Sequence, residues 1–411
     1  MSTALTDMAL KVMADTSTTA VWPLALLDAY GGDVAAATTA AGFMSSLCGV
    51  AELLINPVVG KLSDALGRKA FFYLGPLANC LTSLLQIAYP RSIPVCYIQR
   101  VLSQTLSTVS GSTIGTATLA DVASGDKLTG ALGALGSWAG LGVIIGPLMS
   151  GALTRIFGTA NQVTVAFGTR AVVAGSTVLF LALRLHETLP ANKRSRFALS
   201  GVNPLGFLSL FRGSSTLRRL ALANGLASMC EGKMTSDLNI AYIRNEVGFD
   251  ASGVTAYLTS WGLGLFLSGK YMVKAILGKV GPRVFTDFAM TTNALSYFLL
   301  GLVPQGWAVW TYVALLTPGI NNLSAAALKS QAAAHAIASG MGKGEFSAAM
   351  ASLRAVAFVL APSIWGSIYA MCVRMGRPPG FALIGAGLVG AVLPGLIHRT
   401  ISQQDWDAKQ R

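Results

Sequence analysis

The stretch GKLSDALGRK, at residues 60–69, joins two apolar blocks of the chain. Gly60 and Gly67 bound a turn in which Asp64 precedes the basic pair Arg68 and Lys69. Glycine permits a tight turn and the close approach of another backbone, and a carboxylate can bind a nearby arginine or the N-terminus of a helix. The stretch therefore predicts a charged turn between two helices.

Apolar blocks like these two recur along the whole chain. Of its 411 residues, 53% are hydrophobic and 11% are charged, and the mean hydropathy is +0.58. Soluble domains carry about 25% charged residues. A membrane-spanning helix needs ~20 mostly apolar residues, and the chain offers roughly twelve such stretches. They are predicted at 5–29, 34–59, 70–89, 93–120, 128–157, 163–185, 217–243, 251–277, 284–303, 307–334, 346–372 and 379–401. The sequence thus predicts an all-α, polytopic, integral membrane protein.

The basic residues predict the orientation of these spans. The inner joints and the tail carry Lys61, Arg68, Lys69, Lys127, Lys193, Arg194, Arg196, Arg212, Arg218, Arg219, Lys279, Arg283, Lys343, Arg399, Lys409 and Arg411. The outer joints carry Arg91, Arg155, Arg244, Arg374 and Arg377. This positive-inside bias places both termini in the cytoplasm for an even number of spans. Because the net charge of +13 is dispersed in this way, a nucleic acid is not expected as a partner.

A polar stretch near the middle divides the chain. We predict a six-helix bundle at 1–189, a cytoplasmic linker at 190–216 and a second six-helix bundle at 217–411. Two such halves match the parallel repeats of secondary transporters, whose substrate site lies at the repeat interface. The first span is the least apolar, since Asp7, Lys11 and Asp15 interrupt it, and it could be short.

The stretch at 60–69 resembles the signature loop of the major facilitator superfamily, G-x-L-[SA]-D-R-x-G-R-[KR]. The resemblance implies that Gly60, Asp64, Gly67, Arg68 and Lys69 form a gating loop. Ala65 stands where the family has arginine, which weakens the charge network expected there. A generic basic, glycine-rich turn is the alternative, and it does not account for the full spacing.

The fifth span resembles the antiporter motif of drug:proton exporters. That motif reads G-x8-G-x3-G-P-x2-[SG]-G, and its residues here are Gly133, Gly142, Gly146, Pro147 and Gly151. Small residues let two membrane helices approach closely, and a proline removes a backbone donor. Generic close packing of helices is the alternative reading of this motif.

Two further segments resemble the tetracycline-resistance and drug:proton antiporter branch of this superfamily. The fourth span carries Gln99-Arg100 in its first part and ends at Ala120-Asp121, and the sixth is followed by HETLP at 186–190. The resemblance implies proton-coupled export of a small solute by alternating access. A facilitative or proton-symport carrier of a metabolite, and a transporter-like sensor that moves nothing, are the alternatives.

Charged residues inside spans are functional candidates, because each costs about 2.5–3.5 kcal/mol on insertion scales. The candidates for proton coupling or for lining a cavity are Asp15, Glu52, Arg100, Glu231, Lys233 and Asp237. Burial favours the neutral form of a carboxyl group, so an embedded acid can take up and release a proton. We expect Arg100 to be the counter-charge of Glu52, which replaces the glutamine of the resembling exporters. Trp261, Trp310 and Asn321 are further cavity candidates by position.

Each of these charges also has a structural explanation. Lys11 with Asp15, and Lys233 with Asp237, are spaced i,i+4 on a helix and can form internal ion pairs. Tryptophans often lie at the membrane interface or in packing contacts.

Other functional classes find little support. The cysteines at 48, 80, 96, 230 and 372 lie in apolar segments without a CxxC pair, so we expect no metal site. A GxxxxGK string at 264–270 is followed by Tyr271 and lacks a preceding strand, which argues against an ATPase. We therefore expect no enzyme and no cofactor, but a monomer in the lipid bilayer that acts on a small-molecule substrate and on protons.

Overall fold

The protein is mostly helical in the residues that its computed structural model describes. These are residues 2–122, 125–194, 205–267, 273–303, 309, 311–312, 328, 331–332, 335–336, 338–341 and 343–402. They contain α-helices, short 3-10 and π-helical turns and no strand. The all-α prediction is confirmed.

The first half contains α1 (Ser2–Ser17), α2 (Trp22–Ala29), α3 (Val34–Leu66), α4 (Lys69–Phe72), α5 (Leu74–Ala88), α6 (Ile93–Thr108), α7 (Ile114–Val122), α8 (Gly125–Phe157) and α9 (Gln162–Arg184). A π-helical turn, Val109–Thr113, joins α6 to α7. The predicted first span is thus two helices, and Pro23 lies in the first turn of the second one. Proline suits a first turn because the backbone N–H that it lacks would have no partner there.

The second half contains α10 (Ser215–Ser228), α11 (Gly232–Asn245), α12 (Ala251–Leu267), α13 (Val273–Gly301), α14 (Lys343–Arg374), α15 (Phe381–Gly387) and α16 (Leu393–Arg399). The joint that we predicted at 278–283 lies inside α13. Lys279 and Arg283 end an apolar segment without ending a helix, because lysine and arginine are good helix formers.

Six of the described helical stretches are long and apolar enough to cross a membrane. They are Val34–Leu66, Lys69–Ala88, Trp138–Phe157, Thr159–Arg184, Ala349–Arg374 and Phe381–Arg399. Within the second of these the helix is interrupted at Tyr73. The predicted seventh span is divided into shorter helices, and most of the tenth lies outside the described residues.

Helix α9 shows how the surface suits a bilayer. Phe167 and Leu181 are fully buried, whereas Val172 and Leu183 on the same helix are 70% and 71% exposed. Large exposed apolar side chains are unfavourable in water and are expected in contact with lipid.

The chain forms two compact units, and each takes one segment from the other half of the sequence. The first comprises Met1–Ala37, Leu47–Val202 and Asp250–Gly262; the second comprises Thr38–Ser46, Asn203–Phe249 and Leu263–Arg411. Asp250–Gly262 joins the first because Gly262 packs against Val143 and Ile144 of α8. Thr38–Ser46 joins the second because Ser46 Oγ is 2.7 Å from Ser363 Oγ of α14. The assignment of 190–216 to a linker stays a prediction.

Candidate functional site

Four helices of the first unit bring polar side chains together. Asp15 of α1, Asn79 of α5, Ser107 of α6 and Arg170 of α9 form what we call the Asp15 cluster. Arg170 Nη2 lies 2.8 Å from Asp15 Oδ1 and 2.9 Å from Asn79 Oδ1. Asn79 Nδ2 donates to Asp15 Oδ1 at 2.8 Å, and Ser107 Oγ donates to the same oxygen at 3.3 Å. Asp15 Oδ1 therefore accepts from three side chains on three other helices.

Solvent access differs among the residues of the Asp15 cluster. The Asp15 side chain is 34% exposed, whereas that of Arg170 is 6% exposed and Asn79 is fully buried. A buried guanidinium is tolerated when a carboxylate and hydrogen bonds compensate its charge. The carboxylate can thus be reached by a proton while the arginine stays enclosed.

The alternative explanation of Asp15 as the ion-pair partner of Lys11 was wrong. Lys11 pairs with Asp7, one turn earlier, at 2.7 Å, and both side chains are at most 2% exposed. Lys11 Nζ also lies 4.8 Å from the centre of the Phe72 ring and 3.4 Å from the Ser110 carbonyl oxygen. Both acids are spaced four residues from Lys11, so spacing alone does not choose between them. The contacts of Lys11 with Phe72 and Ser110 favour Asp7 over Asp15.

Arg170 was missing from our predicted site residues. It lies in the interior of the apolar span at 163–185, whose other arginine, Arg184, stands at its end, and the rule that charges inside spans mark function would have selected it. Asn79 and Ser107 carry no comparable signal, because polar uncharged residues are common in membrane helices.

Two other predicted candidates lie in the same unit. The Arg100 guanidinium lies 5.5 Å from the centre of the Trp22 ring, and Cys48 Sγ lies 3.7 Å from the Arg100 carbonyl oxygen. Glu52 of α3 is 7% exposed, so it is buried as expected. The pairing of Glu52 with Arg100 stays a prediction.

The predicted gating loop is built around Arg68. Its guanidinium pairs with Asp64, binds Asp121 through Nε at 3.1 Å and donates to Ser63 Oγ at 2.6 Å. Ser63 Oγ in turn donates to the Gly60 carbonyl at 2.7 Å. The charge network therefore exists although Ala65 replaces the usual arginine, and its role in gating stays a prediction.

Glu187, from the HETLP segment, ties a distant part of the chain to this loop. Its Oε1 accepts from the backbone N–H groups of Arg68, Thr188 and Leu189 at 2.9, 3.0 and 3.0 Å. Its Oε2 accepts from the Lys69 N–H at 3.2 Å. The HETLP segment is recognisable in the sequence, but its contact with the loop is not.

The same hydrogen bonds set the charge state of Glu187. Burial alone would raise the pKa of its carboxyl group, but the N–H groups of Leu189, Arg68, Lys69 and Thr188 together lower that pKa below its ordinary value. Gly67 has φ +105°, and a side chain there would run into the Glu187 carboxylate. The loop therefore requires glycine at this position for two reasons.

The glycines of the fifth-span motif make close helix contacts. A Cβ at Gly142 would lie 2.6 Å from the Ala9 carbonyl oxygen of α1, and Thr16 Oγ1 donates to the Gly142 carbonyl at 3.0 Å. Gly146 packs against α1 as well, whereas Gly151 faces Thr255 of α12. Helix α8 continues through Pro147, and the surroundings of Gly133 lie outside the described residues. A role in proton exchange stays a prediction.

In the second unit the predicted seventh span is broken at Met229, Cys230 and Glu231. Helix α10 ends at Ser228 and α11 begins at Gly232. Trp365 Nε1 donates to the Met229 carbonyl at 3.0 Å, and Tyr297 Oη donates to the Cys230 carbonyl at 2.7 Å. These bonds satisfy carbonyl groups that a continuous helix would have paired.

Glu231 lies at this break and pairs with Arg354 of α14. Arg354 Nε binds Glu231 Oε2, and Ser228 Oγ donates to Glu231 Oε1 at 3.2 Å. The Glu231 and Arg354 side chains are 24% and 54% exposed. Arg354 was not among the predicted site residues, although it too is a charge inside an apolar span.

The remaining candidates are divided. Asp237 accepts a hydrogen bond from Ser45, which belongs to the same second unit, and Trp261 is partly buried. The Lys233 side chain, Trp310 and Asn321 lie outside the described residues. In the part of the chain that is described, no group of three or more His, Cys, Asp or Glu side chains could hold a metal ion.

The sequence is similar to one protein family over most of its length. The model of the Major Facilitator Superfamily matches residues 8–362. The class C tetracycline resistance protein of Escherichia coli is 23% identical over 358 residues, which cover 86% of each chain. Hippocampus abundant transcript-like protein 1 of Bos taurus is 22% identical over 361 residues, which cover 86% of this chain and 69% of that protein.

Solved structures of transporters share the fold. The human organic anion transporter MFSD10 (TETRAN) has a TM-score of 0.67 at 19% identity, covering 97% of this chain and 98% of that one. A POT family transporter in complex with 5-aminolevulinic acid has a TM-score of 0.71 at 14% identity, covering 98% and 96%. At these identities the likeness establishes the fold alone.

Proposed function

The chain belongs to the Major Facilitator Superfamily, and from that premise we propose that it is a secondary active transporter that exports a small solute in exchange for protons. Membership identifies an integral, multi-pass membrane transporter. Two features support the narrower proposal: relatives named tetracycline resistance proteins, and the position of Asp15 in the first unit.

The Asp15 cluster is the observation that carries this proposal. A proton that binds the partly exposed carboxylate removes the negative charge that compensates the enclosed Arg170. The guanidinium then keeps its bond to Asn79 Oδ1 but lies buried without a counter-charge, which is unfavourable. Protonation therefore favours a different packing of α1 against α9 and Asn79. A transporter can use such a shift between two conformations to couple proton entry to solute exit.

The loop around Arg68 supports transport over a sensor that moves nothing. Ala65 in place of the usual arginine is a feature that favours the sensor, but Arg68 still binds Asp64 and Asp121. We propose that this network opens and closes with the transport cycle, with both termini in the cytoplasm. A facilitative or proton-symport carrier is the second candidate, favoured by the general use of this fold for many solutes.

The test is solute flux in proteoliposomes under an imposed pH gradient, with tetracycline as the first solute and pH-sensitive dye as the proton probe. Asp15→Asn should abolish gradient-driven flux while gradient-free exchange continues. The matched control is Asp28→Asn, because Asp28 forms an exposed ion pair with Arg91 at 2.9 Å, and this variant should behave as the wild type.

Glu52→Gln examines the second embedded acid in the same assay. We expect a folded protein with a smaller loss of gradient-driven flux than Asp15→Asn gives. Unaltered pH dependence in both the Asp15 and the Glu52 variants would rule out proton exchange through these acids. Solute flux that is identical with and without the gradient would favour the facilitative carrier.

A further inference from the structure

The Glu231–Arg354 pair presents a positive charge to solvent within a predicted membrane span. Arg354 lies in the apolar stretch Ala349–Arg374, and its side chain is 54% exposed, against 24% for Glu231. An arginine in contact with hydrocarbon is unfavourable by about 2.5–3.5 kcal/mol. An exposed guanidinium beside a helix break therefore indicates a polar space that water can enter.

The two residues of this pair differ in how many of their polar atoms form hydrogen bonds. Both Glu231 oxygens have a partner, since Oε1 accepts from Ser228 and Oε2 from Arg354. Arg354 uses only Nε, and neither of its terminal Nη groups has a hydrogen-bonding partner among the described residues. Those two groups form the fork with which arginine binds a carboxylate through two parallel bonds.

The surroundings fix the backbone beside Glu231, the partner that orients Arg354. Trp365 and Tyr297 fix the backbone at Met229 and Cys230, next to Glu231. Helices α10 and α14 also approach closely, because a Cβ at Gly225 would lie 3.3 Å from the Leu353 side chain. A binding group that is fixed beforehand loses little conformational freedom when its ligand arrives.

We infer that Arg354 binds a carboxylate group of the transported solute, with Glu231 orienting the guanidinium. This inference rests on the proposed transport function and adds a substrate class to it, namely organic anions or zwitterions. The charge of the solute group follows from the solvent access of the two partners. Both oxygens of the Glu231 carboxylate are hydrogen-bonded, whereas the terminal nitrogens of the Arg354 guanidinium can still donate. A solute with only a positive charge would meet Arg354 first and be repelled.

Binding without a gradient tests the inference separately from transport. Purified full-length protein is titrated with benzoate, benzyl alcohol and benzylamine, and each dissociation constant is taken from the shift in thermal unfolding. Benzoate should bind most tightly. Arg354→Gln should weaken benzoate by about tenfold or more, as expected for loss of hydrogen bonds between charged groups.

Three further variants exclude indirect effects. Arg374→Gln changes an exposed arginine at the other end of the same helix and should leave benzoate binding unchanged. Arg354→Lys keeps the charge without the fork and should bind with intermediate affinity. Glu231→Gln should bind benzoate at least as tightly as the wild type, because the glutamine amide oxygen can still accept from Arg354 Nε and orient the guanidinium while the competing negative charge is gone.

Three results would overturn the inference. They are tighter binding of benzylamine than of benzoate, equal benzoate affinities in the wild type and Arg354→Gln, and loss of benzoate binding when the protein is reconstituted in phosphatidylglycerol vesicles instead of phosphatidylcholine vesicles. The last would assign Arg354 to a lipid phosphate. Benzoate binding as expected, together with no solute flux under any gradient, would leave this site standing and defeat the transport proposal.

Discussion

Two carboxylate–arginine pairs inside predicted spans, Asp15–Arg170 and Glu231–Arg354, are opposites in solvent access. In the first unit the Asp15 carboxylate is 34% exposed and Arg170 is 6% exposed. In the second unit Glu231 is 24% exposed and Arg354 is 54% exposed. The group that solvent can reach is thus a carboxylate in the first pair and a guanidinium in the second. Burial decides which partner can exchange its ligand, and this difference suggests a proton for Asp15 and an anion for Arg354.

The comparison predicts the largest loss of stability when Asp15 is changed. Asp15→Asn leaves Arg170 buried without a counter-charge and should lower the free energy of unfolding by roughly 3 kcal/mol, the lower end for a broken buried pair. Arg170→Gln leaves a carboxylate that solvent can reach, so its effect should be smaller. Chemical denaturation in mixed micelles measures both. Equal losses would mean that access does not distinguish these partners.

We expect an intermediate loss of stability when Glu187 is changed. This carboxylate lies outside the predicted spans and accepts hydrogen bonds from neutral backbone N–H groups. Hydrogen bonds to a charged group contribute about 1.5–3 kcal/mol, and glutamine offers a single acceptor oxygen, so we expect Glu187→Gln to lose roughly 1.5 kcal/mol at neutral pH. The folded pKa lies below the unfolded value of about 4.3. Its stabilisation is therefore full above that unfolded value and is lost as pH falls through the folded pKa.

Thermal midpoints of the wild type and Glu187→Gln between neutral and acidic pH check this expectation. The two curves should lie apart at neutral pH, begin to approach each other below about pH 4.3 and meet below the folded pKa of Glu187. A constant separation across the whole range would show that the charge of Glu187 plays no part.

The smallest loss of stability is expected when the Glu231–Arg354 pair is changed. Here the substitution of the arginine should cost more than the substitution of the carboxylate. Arg354→Gln leaves the less exposed carboxylate without its counter-charge and should cost about 1 kcal/mol, as for a partly exposed ion pair. Glu231→Gln leaves an arginine that is already half exposed, so it should cost less. Denaturation of the two variants side by side is the measurement. A larger loss for Glu231→Gln would remove the contrast between the two units.

Local sequence patterns were enough for the family and the helical class. An apolar block of sufficient length predicts a spanning helix wherever it occurs, and the spacing within 60–69 identifies the superfamily without any distant contact. Asp15, Glu52 and Arg100 were found as candidates for the same reason, since a charge in an apolar block is visible in the sequence alone.

Only the tertiary structure decided which of these charges meet and which are exposed. Arg170 binds Asp15 across 155 positions of the chain, and Glu187 reaches the Arg68 backbone across 119. Lys11 had an acid four residues away in each direction, and contacts from Phe72 and Ser110 selected Asp7. The helix break at Met229 likewise is not predicted by a proline in the sequence. It is stabilised by hydrogen bonds from Trp365 and Tyr297 on other helices. Partner choice and solvent access depend on how helices pack, and helical periodicity specifies only the faces that each helix offers.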